Sequence, residues 1–154
     1  MDINYKDNKE LALYILNKLK EQGKPSFSDG TCQYRAKDGC KCAVGHIIPD
    51  DYYLPEMEGF TLWNETVGCQ LTKVYPGIDF GVLDALQTLH DNYASTSELY
   101  LKYLSFAEYI DRFINAVNQD GDVRKNLLST RAEILNELRK YTIGTPKEDS
   151  YEIS

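Results

Sequence analysis

The sequence has no long hydrophobic run. Its longest apolar stretch, Leu11 to Leu16, is far shorter than the roughly 20 residues that a membrane-spanning helix needs. Near the N-terminus no basic stretch precedes an apolar one, so the sequence predicts neither a signal peptide nor a membrane protein. We therefore expect a cytoplasmic protein whose cysteines stay reduced.

Positive charge is also scarce. The 17 lysine and arginine residues face 24 acidic residues, which gives a net charge of −7 that is spread along the chain. Proteins that bind DNA or RNA directly need a basic stripe to neutralise phosphates, so this composition disfavours direct nucleic-acid binding. An acidic surface favours solubility and basic partners, and it fits both a plain solvated surface and a mimic of nucleic acid.

Common cofactor signatures are missing as well. The sequence contains no P-loop and no dinucleotide-binding glycine pattern. The segment 118–121 resembles part of a calcium loop, but alignment on Gly121 would place Ala116 and Leu127 at ligand positions, and neither side chain binds calcium. We therefore predict no cofactor.

What is present indicates one ordinary globular domain. A chain of 154 residues with 42% hydrophobic residues can bury a core without disulfides or metal. We predict a single domain over 1–146 and a frayed polar tail over 147–154. Its fold class is α+β and predominantly α-helical, with about four to five main helices, one short β-hairpin and an irregular insert. The predicted helix caps are Asp7, Asp79, Ser95, Ser105 and Asp122.

The hairpin and the insert lie between the first helix and the helical second half. Strand-like residues over 31–35 and 40–44 flank an Asp-Gly turn at Gly39, which predicts the hairpin. Residues 46–78 carry turn signals and no clear periodicity, so they form the insert. We expect Leu62, Trp63 and Val67 to anchor this insert to the core.

Four candidate metal ligands occur close together, namely Cys32, Cys40, Cys42 and His46. Thiolate and imidazole are the donors that zinc prefers, but the spacing is not that of a zinc knuckle. We therefore predict no metal and interpret the cysteines as small buried thiols. Under oxidation, Cys32 could bridge to either Cys40 or Cys42.

A second combination would suit nucleophilic catalysis. Cys42 could act as the nucleophile and His90 as its base, with Asp91 as the third member. Neighbouring side chains on a helix diverge by about 100°, so we expect Asp91 not to orient the His90 ring. No glycine-flanked elbow and no oxyanion loop accompanies Cys42, and the sequence therefore does not favour an enzyme.

Several short motifs follow one another along the chain: Cys-Gln-Tyr-Arg at 32–35, Cys-Ala-Val-Gly at 42–45, an aspartate at 50, a tyrosine at 53, Glu-Gly at 58–59 and Leu-Gln-Thr-Leu-His-Asp at 86–91. This pattern, over about residues 8–93, resembles that of a family of small bacterial and phage proteins to which no activity is assigned. The resemblance implies a phage-encoded protein. It also implies that the motif residues form one site, in which Cys32 and Arg35 would bind an anionic ligand beside Cys42, His90 and Asp91.

The same motif also has a purely structural interpretation. Arg35 could pair with Asp91 or Glu58 and fasten the hairpin to a helix, because its planar guanidinium suits a carboxylate. Gly39 and Gly45 would then be required for their backbone angles.

Tyrosine is abundant, with 12 residues in the chain, and tyrosine is enriched at protein interfaces. We expect Tyr52, Tyr53, Tyr100 and Tyr103 to contact a protein partner. The sequence thus favours a small acidic accessory protein that binds a host or phage macromolecule and inhibits or redirects it. The alternative is a cysteine- and histidine-dependent enzyme, or a binder of a small anionic ligand, built on Cys42, His90 and Arg35. The oligomeric state is not predicted.

Overall fold

A computed structural model describes residues 3–28, 31–95 and 103–143. Across these ranges the chain forms five α-helices, a two-stranded antiparallel sheet and short 3₁₀ turns, which confirms the predominantly helical α+β class. In chain order the elements are α1 (Asn8–Gln22), β1 (Phe27–Ser28), β2 (Thr31–Cys32), α2 (Glu65–Val74), α3 (Phe80–Ser95), α4 (Phe106–Val117) and α5 (Val123–Ile143). The short helix predicted after Ser95 and the tail over 147–154 lie outside the described residues.

The helix boundaries follow from side chains that satisfy the free amides of the first turn. Asp7 accepts hydrogen bonds from the amides of Lys9 and Glu10, and α1 ends at Gly23 with a φ of 80°. Ser105 and Glu108 form the predicted reciprocal capping box of α4. Asp79 and Asp122 are also confirmed as caps, since each accepts the amide three residues further on. The helix that Ser95 was predicted to cap lies outside the described residues.

Helices α1, α3, α4 and α5, which we call the helical frame, supply much of the core, and residues of segments 34–62 and 67–78 complete it. Helix α1 packs on α3 and α4, and α5 packs on the same two helices. The apolar stripes predicted from helical spacing form one buried cluster, in which Leu16, Leu86, Ile110 and Phe113 have no solvent exposure. Within the described residues, no helix combines the length and apolar character needed to cross a membrane.

The hairpin lies earlier in the chain than predicted. Phe27 pairs with Cys32 and Ser28 with Thr31, whereas the expected strands around Gly39 contribute a single bridge between Arg35 and Lys41. Gly39 still turns the chain, with a φ of 89°. The longer hairpin is interrupted because the amides of Tyr34 and Arg35 bind the Glu58 carboxylate rather than a partner strand.

The predicted insert over 46–78 is only partly irregular. It contains 3₁₀ turns over Asp50–Tyr52 and Pro55–Met57, and then helix α2, which the sequence analysis did not identify. Asn64 caps α2 by accepting the amide of Thr66. Leu62 and Val67 are buried as expected, but Trp63 is 62% exposed, so its prediction as a core anchor was wrong.

We call residues 24–63 the irregular region. Its main chain has few regular hydrogen-bond partners, and side chains from the helices supply them. Gln22 of α1 accepts the Lys41 amide at 2.8 Å, and Gln87 of α3 accepts the Val44 amide at 3.0 Å. Gln70 of α2 donates to the carbonyl of Tyr52 at 2.7 Å. These contacts fix the path of the irregular region across α1, α2 and α3.

Candidate functional site

His90 is the central polar group of the interior. It is fully buried on α3, and its Nε2 accepts the Ser26 amide at 2.9 Å. Its Nδ1 lies 2.8 Å from Oδ1 of Asp91. Because Nε2 accepts the hydrogen bond from Ser26, the ring proton lies on Nδ1, which donates a hydrogen bond to Asp91.

The expectation that Asp91 does not orient His90 was wrong. Gln87, one turn earlier, donates to Oδ1 of Asp91 at 3.0 Å and draws the carboxylate back along α3. Ser26 holds the ring of His90 from the other side. The two side chains diverge at their Cβ atoms and meet again at their ends, because each is fixed by another residue, Asp91 by Gln87 and His90 by Ser26.

Cys32 completes this cluster from β2. Its thiol, one ring nitrogen of His90 and a carboxylate oxygen of Asp91 all lie within 4.8 Å of one another. Burial raises the pKa of Cys32 to about 12, and the charge of Asp91 and a hydrogen bond to it act in the same direction. Cys32 is therefore a protonated thiol at neutral pH, and thiols are weak nucleophiles.

Cys42, the predicted nucleophile, is sealed in the core. It has no exposed surface, and burial raises the pKa of its thiol despite a hydrogen bond from the Gly45 amide at 3.4 Å. The predicted base cannot serve it, because the hydrogen bonds of His90 already occupy both ring nitrogens. The arrangement of these residues offers no route to a reactive thiolate.

The same hydrogen bonds bear on metal binding. Cys32, His90 and Asp91 are the group of potential ligands that the described part of the chain brings together, and their donor set would suit zinc. A metal on Nδ1 would displace the ring proton while Nε2 still accepts the Ser26 amide, which would leave the imidazole negatively charged. The cluster fits a hydrogen-bonded network better than a metal centre.

Arg35 lies in a different environment from the residues with which the sequence grouped it. Its guanidinium pairs with Asp50 at 2.9 Å, donates to the Ile48 carbonyl at 2.8 Å and stacks over the Tyr53 ring at 4.5 Å. Glu58 binds the main chain of Arg35 rather than its guanidinium, at 3.0 Å. The motif therefore divides into two clusters, and the guanidinium of Arg35 does not pair with Asp91.

A polar cleft of about 280 Å³ lies between α3 and the irregular region. One wall is a single stripe of α3, in which Asp84, Gln87, Thr88 and Asp91 follow one another at helical spacing. The other wall comes from segments 31–34 and 59–62 and from Cys42. Both charged side chains of the described lining are carboxylates, those of Asp84 and Asp91.

An apolar groove of about 580 Å³ is lined by segment 62–64, by side chains of α2 and by Phe80 of α3. Leu62 lines both the groove and the cleft. The Trp63 ring lies 5.7 Å from that of Phe80, and its Nε1 donates to Asp84 at 3.3 Å. Phe60 and Trp63 remain 54% and 62% exposed. We call this pair the aromatic surface.

The tyrosines predicted to contact a partner have mixed environments. Tyr52 and Tyr103 are exposed by 38% and 52%. Tyr53 is partly buried, and its hydroxyl donates to Glu58 at 2.7 Å. Tyr100 lies outside the described residues.

Sequence reasoning missed the aromatic surface and the role of Gln87. A hydrophobic residue in an unperiodic segment is normally assigned to the core, so Phe60 and Trp63 gave no signal of their exposure. Comparison of the chain with known protein families, curated proteins and solved structures found no match. The resemblance to a bacterial and phage family therefore stays a prediction.

Proposed function

We propose that this protein is a small acidic accessory protein that binds a protein partner through the aromatic surface and thereby inhibits or redirects that partner. The observation that carries this proposal is the exposure of Phe60, which lines the cleft, and of Trp63, which lines the apolar groove. Large exposed aromatic side chains are costly in water and are enriched in the energetic centres of interfaces. We place the protein in the cytoplasm of a bacterium and propose that a phage encodes it.

The chemistry of the interior supports a binding protein over the enzymatic alternative. Both cysteines near His90 have a raised thiol pKa, and His90 is held by Ser26 and Asp91. The cluster of Cys32, His90 and Asp91 joins β2 and the segment before it to α3, and thus supports the wall of the cleft. We infer that this cluster has a structural role, namely to fix the position of β2 relative to α3 and so maintain the cleft.

Affinity capture tests the proposal. The tagged protein, a Phe60→Ser/Trp63→Ser double variant and a Tyr103→Ser control would each be incubated with a bacterial lysate, with and without phage infection. We expect one stoichiometric protein with the wild type and the control, and its loss with the double variant. Tyr103 is a matched control because it is an aromatic residue of similar exposure on another part of the chain, and its variant also tests the prediction that Tyr103 contacts the partner.

Circular dichroism would show whether the double variant stays folded, which we expect because both substituted side chains are largely exposed. Equal recovery of the partner with the folded double variant, or recovery of no stoichiometric protein with the wild type, would contradict the proposal. Loss of the partner with Tyr103→Ser alone would move the interface away from the aromatic surface.

A further inference from the structure

The aromatic surface borders the acidic cleft, and this juxtaposition defines the partner's chemistry. We propose that the cleft receives an arginine side chain from a basic segment of the partner, with its guanidinium against Asp84 and its plane on Phe60 and Trp63. This inference rests on the proposed function and deepens it, because it names the group that the partner presents.

The charge of the cleft supports a cationic occupant. Asp84 and Asp91 lie seven residues apart on one stripe of α3, about 10 Å along the helix axis. In the described part of the chain, neither carboxylate forms an ion pair with a lysine or arginine side chain. Among the described residues, no lysine or arginine side chain therefore offsets the negative charge of the cleft. A buried or half-buried carboxylate favours a cationic partner most where water is excluded.

The two carboxylates differ in their availability. Asp91 accepts hydrogen bonds from His90 and Gln87, and a third links it to the Cys32 thiol. Asp84 accepts one hydrogen bond among the described residues, from the exposed Trp63. Asp84 therefore retains acceptor capacity at the side of the cleft where the aromatic surface lies. Asp91 adds negative charge deeper along the same helix stripe.

The aromatic side chains favour arginine over lysine. A guanidinium is planar and weakly hydrated, stacks on aromatic rings and presents two donors to a carboxylate, whereas an ammonium does none of these equally well. The volume of about 280 Å³ lies just below the range of roughly 300 Å³ and more that holds drug-sized ligands. One long side chain fits such a space.

The single tryptophan of the chain makes the test direct. Trp63 touches Asp84, so its fluorescence reports on a cation bound there. The probe is a short peptide with two arginines separated by glycines, titrated against the full chain. The comparison peptides replace both arginines by lysine or by citrulline, which keeps the shape of arginine without its charge.

Two variants of equal charge sharpen the result. Asp84→Asn removes the charge but can still accept the Trp63 hydrogen bond. Glu56→Gln also removes one charge, but Glu56 is an exposed residue on the 3₁₀ turn over Pro55–Met57 and does not line the cleft. We expect saturable binding of the arginine peptide, at least tenfold weaker binding to Asp84→Asn and unchanged binding to Glu56→Gln. The lysine peptide should bind several-fold more weakly, and the citrulline peptide should not bind.

The inference would be overturned if wild type and Asp84→Asn bound the arginine peptide with equal affinity. It would also be overturned if the citrulline or lysine peptide bound as well as the arginine peptide, or if Trp63 fluorescence showed no saturable change up to about 1 mM peptide. Affinity capture separates this failure from that of the proposed function. If Asp84→Asn retains the captured partner while the Phe60→Ser/Trp63→Ser variant loses it, the result supports binding through the aromatic surface and contradicts the arginine site.

Discussion

The helical frame and the irregular region contribute to the same buried cluster, but their main chains are held in different ways. In the frame, the main chain is bonded within the helices, and apolar side chains of α1, α3, α4 and α5 pack in that cluster. In the irregular region, single polar side chains bind main-chain groups, as Glu58 does for the amides of Tyr34 and Arg35 at 2.8 and 3.0 Å. Apolar packing spreads stability over many contacts. A hydrogen bond from a side chain to the main chain instead satisfies one particular group, so loss of that side chain leaves the group without a partner.

This difference explains why the candidate binding surface lies where it does. A segment whose main chain is fixed by directed hydrogen bonds can leave single apolar side chains facing water, although others of the same region, such as Met57 and Leu62, are buried. Phe60 lies in this region, and the Phe60 carbonyl accepts the hydroxyl of the buried Tyr34 at 2.6 Å. Its main chain is thereby fixed while its ring is exposed.

The largest loss is expected in the frame. Phe113 is fully buried in α4 and contacts the ring of Tyr109, so Phe113→Ala leaves a cavity and should cost about 4 kcal/mol of unfolding free energy. Chemical denaturation followed by circular dichroism measures this loss. Asn115→Ala, on the exposed side of the same helix, should change stability by less than about 0.5 kcal/mol. Similar losses for both variants would show that α4 does not form the core.

The next largest loss is expected at Glu58, whose carboxylate also accepts the Tyr53 hydroxyl. Glu58→Ala leaves two main-chain amides and this hydroxyl without their partner, and we expect a loss of about 3 kcal/mol. Hydrogen exchange should show the loss first at the amides of Tyr34 and Arg35, while α4 and α5 keep their protection. Uniform loss of protection across the helical frame would contradict a separate origin of stability for the two regions.

Asp50→Asn is the matched control for Glu58→Ala. Asp50 also carries a carboxylate and pairs with Arg35, but its side chain is 87% exposed. Exposed ion pairs contribute little because water and salt screen them, so the expected change is about 0.5 kcal/mol or less. A large effect of Asp50→Asn would mean that Arg35, rather than Glu58, holds the irregular region.

The same contrast sets what the sequence could predict. Asp7, Ser105 and Asp122 are local signals that act on the next turn of the chain, so the helices they cap were identified. Helix α2 was missed because Gly68 lies in its middle and glycine usually ends a helix.

The irregular region depends on pairs far apart in sequence. Val44 and Gln87 are 43 residues apart, and Ser26 and His90 are 64 apart. No local pattern indicates such a pairing. The family-like motif grouped Cys32, His90 and Asp91 correctly as neighbours, but it did not show that Arg35 leaves the group for Asp50.

Gly45 tests how closely two parts of the irregular region approach each other. Its backbone angle is not one that requires glycine, contrary to our expectation, but a Cβ there would lie 2.1 Å from the Tyr34 carbonyl oxygen. Gly45→Ala should therefore cost about 2 kcal/mol. Gly68→Ala is the control, since its Cβ would meet its nearest neighbours at 3.6 and 3.7 Å and alanine favours a helix by about 0.5–1 kcal/mol. In thermal unfolding, we expect the melting temperature to fall for Gly45→Ala and to rise for Gly68→Ala.

His46 is expected to have a small effect on stability with a characteristic pH dependence. Burial, supported by the charge of Lys41, lowers the pKa of His46 to about 4 from 6.5, and its Nε2 is buried without a hydrogen-bond partner among the described residues. Above pH 6.5 the residue is neutral in both the folded and the unfolded chain. As the pH falls from 6.5 towards 4, only the unfolded chain takes up the proton, so folding loses about 1–2 kcal/mol, allowing for the partial exposure of the ring.

Denaturation midpoints of wild type and His46→Gln between pH 7 and pH 4 measure this contribution. The wild type should lose more stability than the variant over that interval, because glutamine does not titrate. Asp38, whose pKa is lowered to about 2 by hydrogen bonds from the main chain and from Lys24, affects stability only below about pH 4 and does not disturb the comparison. Parallel pH profiles for the two proteins would mean that the His46 ring reaches solvent, and that the irregular region is looser around it than its hydrogen bonds imply.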